Sequence, residues 1–208
     1  MESLALAFSS GWASGVNCYL VVLVLGVADR LGDLAEVPDA LGRGDVLAVA
    51  GVLYALEFVT DKIPYLDSTW DVVSTAIRPT AGAVVGVLLA GDASSLDHAV
   101  LGVVGGGTAL ASHLVKAGTR LAINGSPEPV TNVAASLGED VAVLGVVWLA
   151  IEHPRWAAAV AGLLLALGLV LLWLAVRLVR RGVARWRSRR RPSAGGVGPP
   201  GTPPPRVR

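Results

Sequence analysis

Apolar runs interrupted by charge set the pattern of this chain. Six runs stand out, at residues 4–27, 46–60, 80–91, 98–115, 133–151 and 156–176. A membrane-spanning helix needs about 20 mostly apolar residues. The first run is long enough, but its first half is small and polar, with Ser9, Ser10, Gly11, Ser14, Gly15 and Asn17. Small residues let helix backbones approach closely, so that half is expected to face protein rather than lipid. Run 46–60 is short and holds Glu57, and run 80–91 is too short to span alone. The pattern predicts a half-helix over 72–77 before it, with the break at Arg78-Pro79. Run 98–115 is glycine-rich, and its Gly102 and Gly106 form a G-x-x-x-G pair suited to close packing, inside the bundle or between copies in a homo-oligomer.

Two stretches between these runs break the rules of an apolar environment. One runs from Glu57 through Asp61, Lys62, Pro64, Asp67 and Asp71 to Arg78-Pro79. The other runs from His113 through Lys116, Arg120, Asn124, Pro127, Glu128, Pro129 and Asn132 to Glu139-Asp140. Charge inside a bilayer is costly and tends to be kept for a purpose. A proline pushes its predecessor away from helix, so Ser126-Pro127 and Glu128-Pro129 predict extended backbone. Each stretch is either a cytoplasmic loop or a re-entrant element that lines a polar space. Between Pro64 and Pro79, residues 65–77 suit a short half-helix capped by Asp67 or Ser68. A weak internal repeat aligns Lys62 with Lys116, each at the end of an apolar run.

Arginine after the last run (Arg177, Arg180, Arg181, Arg185, Arg187, Arg189, Arg190 and Arg191) is a cytoplasmic signal. With six spans, both termini are then expected on the cytoplasmic side of the plasma membrane. The helix is expected to continue past the bilayer and to meet anionic lipid headgroups at Arg177 to Arg191. From Pro192 the chain is rich in proline and glycine and is predicted to be disordered. Nothing calls for nucleic acid as a partner.

Composition agrees. Of 208 residues, 53% are hydrophobic and 16% charged, and mean hydropathy is +0.63. A soluble domain averages about 25% charged. A lone cysteine, Cys18, excludes an internal disulfide and reads as a small packing residue. Met1-Glu2-Ser3 carries no basic region before the apolar run, which argues against a cleaved signal peptide. No H-E-x-x-H, G-x-S-x-G, phosphate-binding loop or metal-spaced Cys/His set is present. No catalytic residue, cofactor or metal is therefore predicted.

Glu57 and Asp61, four apart, share a helical face beside Lys62, and His113 and Lys116 are three apart. In a low-dielectric setting such groups must pair or change protonation. Pointing inward, Asn17, Glu57, Asp61, Lys62, Asp67, Asp71, Arg78, His113, Lys116, Arg120, Asn124, Glu128, Asn132, Glu139 and Asp140 would line one polar cavity. Pointing outward, they are interfacial charges reaching water.

Several of these segments together resemble a bacterial membrane-protein family known as domain of unknown function 4126. The likeness rests on Gly15-Val16-Asn17-Cys18-Tyr19-Leu20, Glu57-Phe58-Val59-Thr60-Asp61-Lys62-Ile63-Pro64, Asp67-Ser68-Thr69-Trp70-Asp71 and Ile77-Arg78-Pro79. Lys116-Ala117-Gly118-Thr119-Arg120, Asn124 to Asn132, and Glu139-Asp140 complete it. The resemblance implies a polytopic membrane protein and brings no activity.

The expected fold is all-α: a polytopic transmembrane bundle of about six spans with two proline-broken segments over residues 1–187, followed by a cytoplasmic tail over 188–208. The leading functional expectation is a small transporter or channel-like protein. Its alternatives are a lipid-handling translocase or membrane-embedded enzyme that grips phosphate with Lys62, Arg78, Lys116 and Arg120, and a non-catalytic scaffold.

Overall fold

The computed structural model of the protein describes residues 2–32, 37–63, 65–124 and 129–189, with side chains left aside at 123, 124, 129 and 182–189. Pro64, residues 125–128 and residues 190–208, most of the expected tail, lie outside the described residues. Among the described residues every regular element is a helix: α1 (Glu2–Gly32), α2 (Asp39–Gly42), α3 (Gly44–Thr60), α4 (Leu66–Leu88), α5 (Ser95–Asn124), α6 (Pro129–Glu152) and α7 (Pro154–Arg189). Five of them (α1, α4, α5, α6 and α7) are long and apolar enough to cross a membrane. The chain divides into one unit ending at Leu172 and a second beginning at Trp173. The first unit holds α1 to α6 and the first half of α7.

Helix α1 is not a straight rod. Asn17 adopts extended backbone (φ −154°, ψ 93°) and divides it into α1a (residues 2–16) and α1b (residues 18–32). Neighbouring helices fix the sense of each limb. α1a lies parallel to α5, with Gly11 on Gly105 and Thr108, then Gly15 on Ala109 and Ser112. α4 is antiparallel to α5, with Gly82 on Gly105 and Ala109, and Gly86 on Leu101. α1b is antiparallel to α3, with Gly26 on Leu47 and Gly51 on Leu23. α3 and α4 run antiparallel, with Val49, Leu53, Ile77 and Ala81 lining one groove.

The two limbs of α1 therefore run in opposite senses. Leu6 and Leu25 would stand about 28 Å apart on a straight helix, yet they line one cavity with Pro38, Leu89 and Ile151. Glu2 pairs with Arg155 at 3.3 Å, so the N-terminus shares an end of the bundle with the start of α7 and with turn 89–94. The end of α3, the end of α5 and the start of α6 lie at the other end. This corrects the expected first span: residues 4–27 enter and leave at the same end, and the N-terminus lies away from the turns expected beside it. A hydropathy window cannot register a reversal that costs a single residue.

Two further expectations change. Helix α4 runs unbroken through Pro79, so the half-helix over 72–77 with a break at Arg78-Pro79 is not found. Arg78 is held on several sides, and α5 packs so closely that a Cβ on Gly106 would meet the Pro79 carbonyl at 3.1 Å. A membrane helix tolerates proline where its neighbours compensate in this way. Tyr65, not Asp67 or Ser68, is the residue before α4; its φ of 69° is left-handed, and it offers no side-chain cap. The suggested repeat is also unequal in form. Helices α3–α4 and α5–α6 run in the same senses, but Lys62 follows the end of α3 whereas Lys116 lies inside α5.

Glycine sets the spacing at the centre. A Cβ at Gly15 would collide with the Ala109 carbonyl and the Ser112 hydroxyl, and one at Gly105 with the Gly82 carbonyl. The pair Gly102 and Gly106 packs on Val87 and Ala83 of the same chain. The outer faces are apolar: Val52 is 63% exposed, Val103 74% and Leu163 70%. Inside are Arg78, Arg120, His113 and Glu57, all fully buried. Apolar outside and charged inside is the arrangement of a membrane protein.

Two measurements test this packing. An N-terminal tag and a cysteine at Asp92 are expected to label from one face of a sealed vesicle, and a cysteine at Tyr65 from the other; labelling of the tag and Asp92 from opposite faces would restore a straight first span. Gly15→Val is expected to lose about 1–3 kcal/mol of stability through overpacking, read as a lower Tm in detergent. Gly107→Ala, where a Cβ meets nothing within 4 Å, serves as the tolerated control.

Candidate functional site

The break in α1 leaves backbone groups without helical partners. Asn17 answers one side: its Oδ1 accepts from the Leu20 N–H at 3.0 Å, capping α1b. The carbonyls at the end of α1a are answered by other helices. Trp12 O accepts from the Ser112 hydroxyl at 2.8 Å. Gly15 O accepts from Arg78 at 3.3 Å and Val16 O from the Lys116 ammonium at 3.0 Å. Two cations thus sit at the negative end of a helix, where a dipole favours them.

Buried cations demand anions. Arg78 pairs with Glu57 at 2.5 Å and Asp71 at 3.3 Å. Lys116 pairs with Asp61 at 2.6 Å, with Glu57 and Glu139 each at 3.5 Å. Arg120 grips Glu139 through Nη2 at 2.6 Å and Nε at 3.3 Å. Its Nη1 donates to Asn132 Oδ1 at 2.7 Å and to the Asp61 carbonyl at 2.8 Å, and stands 3.7 Å from Asp67. Asn132 also donates to the Asp61 carbonyl at 3.3 Å. On the other flank, Asn17 donates to Asp140 at 3.2 Å. One network therefore joins α1, α3, α4, α5 and α6.

His113 has a defined protonation in this network. Arg78 only donates, so His113 Nδ1, 2.9 Å away, accepts. The Thr75 hydroxyl gives its hydrogen to the Asp71 carbonyl at 2.9 Å. His113 Nε2, 3.0 Å from that hydroxyl, therefore donates to it. The imidazole is neutral, with its proton on Nε2.

Twelve of the fifteen residues expected to line one cavity meet here: Asn17, Glu57, Asp61, Asp67, Asp71, Arg78, His113, Lys116, Arg120, Asn132, Glu139 and Asp140. They form a close-packed ion network rather than an open cavity. A small space of about 130 Å³ adjoins it, lined by Trp12, Ser112, Lys116, Thr119, Glu139 and Leu165 among others. Lys62 sits at the edge, donating to Phe58 O at 2.9 Å and Ser136 at 3.2 Å, with its ammonium 3.0 Å from the centre of the Phe58 ring. Partial burial draws that ammonium below the ordinary lysine range. The Asn124 side chain and Glu128 lie outside the described residues. Among the described residues no group of three His, Cys, Asp or Glu side chains could hold a metal ion.

Sequence reasoning missed the reversal at Asn17 and the roles of Thr75, Ser112 and Ser136. An asparagine after Gly15-Val16 in mid-helix is a cap residue out of place, and that was the available signal.

Arg78→Gln leaves Asp71 without its cation and Glu57 with Lys116 alone at 3.5 Å, and is expected to cost about 3–5 kcal/mol. Lys62→Gln, at the edge, should cost under about 1 kcal/mol. Thermal unfolding in detergent measures both, and equal small losses would mean that the network is not the keystone of the bundle.

No curated protein and no solved structure matches the chain. The match to the family described as "Domain of unknown function (DUF4126)" spans residues 4–180, from α1a into α7 and across every residue of the network. The chain belongs to that family.

Proposed function

We propose that the protein is a small membrane transporter or channel-like protein whose working centre is the ion network at the tip of the α1 reversal. The carrying observation is the fully buried set of Arg78, Arg120, Glu57 and His113 around a broken helix. Glu57 stands three residues before the end of α3 and is nevertheless fully buried, so its charge does not reach water. Purely structural charges would be cheaper at the ends of the helices, where they reach water. A helix broken at depth exposes polar backbone where a solute or ion can be handled.

The network speaks less for lipid-phosphate binding. Arg78, Lys116 and Arg120 are each already held by carboxylates and carbonyls. Lipid contact fits the second unit better, where Arg177 stacks on Trp173 at 5.0 Å and Val176, Arg180 and Arg181 flank the same groove. Anionic headgroups of a cytoplasmic leaflet suit that surface and would place the basic end of α7 on the cytoplasmic side of the plasma membrane.

Flux in proteoliposomes tests the reading. The purified protein is expected to raise permeability to at least one member of a panel of inorganic ions and small polar solutes. Asp61→Asn and Glu139→Gln are each expected to cut that flux by about tenfold, roughly 1.4 kcal/mol. A parent protein that moves nothing across a broad panel sinks the proposal.

A further inference from the structure

Among the described residues six carboxyls meet in the network: Glu57 from α3, Asp61 just after it, Asp67 and Asp71 from α4, Glu139 and Asp140 from α6. Four basic groups answer them: Lys62 after α3, Arg78 from α4, and Lys116 and Arg120 from α5. His113 is neutral by its hydrogen bonds, and α1 contributes Asn17 and the thiol of Cys18. Among the described residues the acids are in excess by two, in a setting where an unbalanced charge is very costly.

The carboxylate oxygens show the same imbalance. Glu57 Oε2, Asp61 Oδ1 and Asp140 Oδ2 are buried and accept no hydrogen bond, and neither oxygen of Asp71 does. A bare metal cation would not find a coordination shell here. No three ligating side chains converge among the described residues, and the carbonyls of Gly15, Val16 and Asp61 already accept from Arg78, Lys116 and Arg120. A proton needs only one oxygen.

A second, independent observation lies above the network. Ser10 and Ser14 of α1a are fully buried, and their hydroxyls have no hydrogen-bond partner. Buried hydroxyls are almost always satisfied, by protein or by ordered water. Leu6, Ser10 and Ser14 follow one another at offsets of four along α1a, and Asn17 stands at its end, where the helix breaks. Leu6 lines a cavity of about 580 Å³ at the end of the bundle, together with Glu2, Leu25, Pro38, Gly91 and Glu152 among others. At the other end of that limb Asn17 holds Asp140. Along the helix the hydroxyls therefore stand between Leu6 at the cavity and Asn17, which holds Asp140.

We propose that the network is a proton site, loaded from the end cavity along Ser10, Ser14 and Asn17 to Asp140. This rests on the transporter reading and gives it a substrate class. A proton passes from water in the cavity, relayed by the serine hydroxyls, onto an Asp140 oxygen. A proton then leaves another carboxyl of the network, through Glu139 and the small space beside it, so charge is restored at each passage. No oxidant or co-reactant takes part.

The test uses the full chain in liposomes with a trapped pH-sensitive dye and an imposed potassium diffusion potential, with solute uptake measured in parallel with and without a pH gradient. Proton entry above that of protein-free vesicles is expected, about tenfold lower in Asp140→Asn and several-fold lower in the double variant Ser10→Ala, Ser14→Ala. The double variant separates function from folding. Neither hydroxyl bonds a protein group, so replacing both should change Tm little while the flux falls. Double-variant flux equal to the parent's overturns the path. Solute uptake that ignores the pH gradient, with no proton entry, overturns the proton inference and leaves the transporter reading standing. Proton entry without uptake of any solute supports the inference and narrows that reading to a channel. Neither flux overturns both.

Discussion

In a membrane interior an unpaired backbone carbonyl costs several kcal/mol, and the reversal at Asn17 creates such carbonyls at the centre of the bundle. The rest of the network is a response to them. Gly15 O and Val16 O are answered by Arg78 and Lys116. Those cations need Glu57, Asp61 and Asp71. Carboxylates brought in for them need further donors in turn, among them Arg120, while Asn132 answers the Asp61 carbonyl. A one-residue change in backbone direction thus accounts for charged side chains on four other helices.

The same reversal dictates the packing around it. Two limbs of α1 in the middle of the bundle leave little room for the helices on either side. Gly11 and Gly15 let α5 press against α1a, and Gly82, Gly86 and Gly105 let α4 press against α5. The closeness also serves the chemistry. Arg78 bonds Gly15 O, His113 and Glu57 at once because α1a, α4 and α5 approach closely at their glycines. The glycines and the ion network are one design seen from its apolar and its polar side.

Much of this was legible in the sequence. The apolar runs located the helices, and charge within them located the site, because charge so deep in an apolar run is too costly to persist without a role. What misled was treating charge and proline as marks of loops. Asp67, Asp71 and Arg78 lie on a continuous α4, and His113, Lys116 and Arg120 on a continuous α5. A window average scores a buried arginine as it would a solvated one, although its partner on another helix cancels the charge. The partners were invisible for the same reason: Lys116 and Val16 are 100 residues apart. The reversal at Asn17 was hidden differently, since both limbs are apolar and one residue between them leaves no dip in hydropathy.

Stability alone is a poor reason for the network to exist. A buried set of ion pairs replaced by well-packed apolar side chains is often as stable or more so, and the glycine contacts already hold these helices together. A purely structural network would also be expected to balance. This one satisfies its cations repeatedly, with Arg120 engaged by Glu139, Asn132 and the Asp61 carbonyl at once, while Asp71 has only Arg78 at 3.3 Å and no hydrogen bond on either oxygen. Firmly held cations beside a loosely held acid suit the proposed proton exchange. The fixed positive groups would keep the site in place and lower the cost of its negative charge, and an acid held as Asp71 is could gain and lose a proton without dismantling the fold.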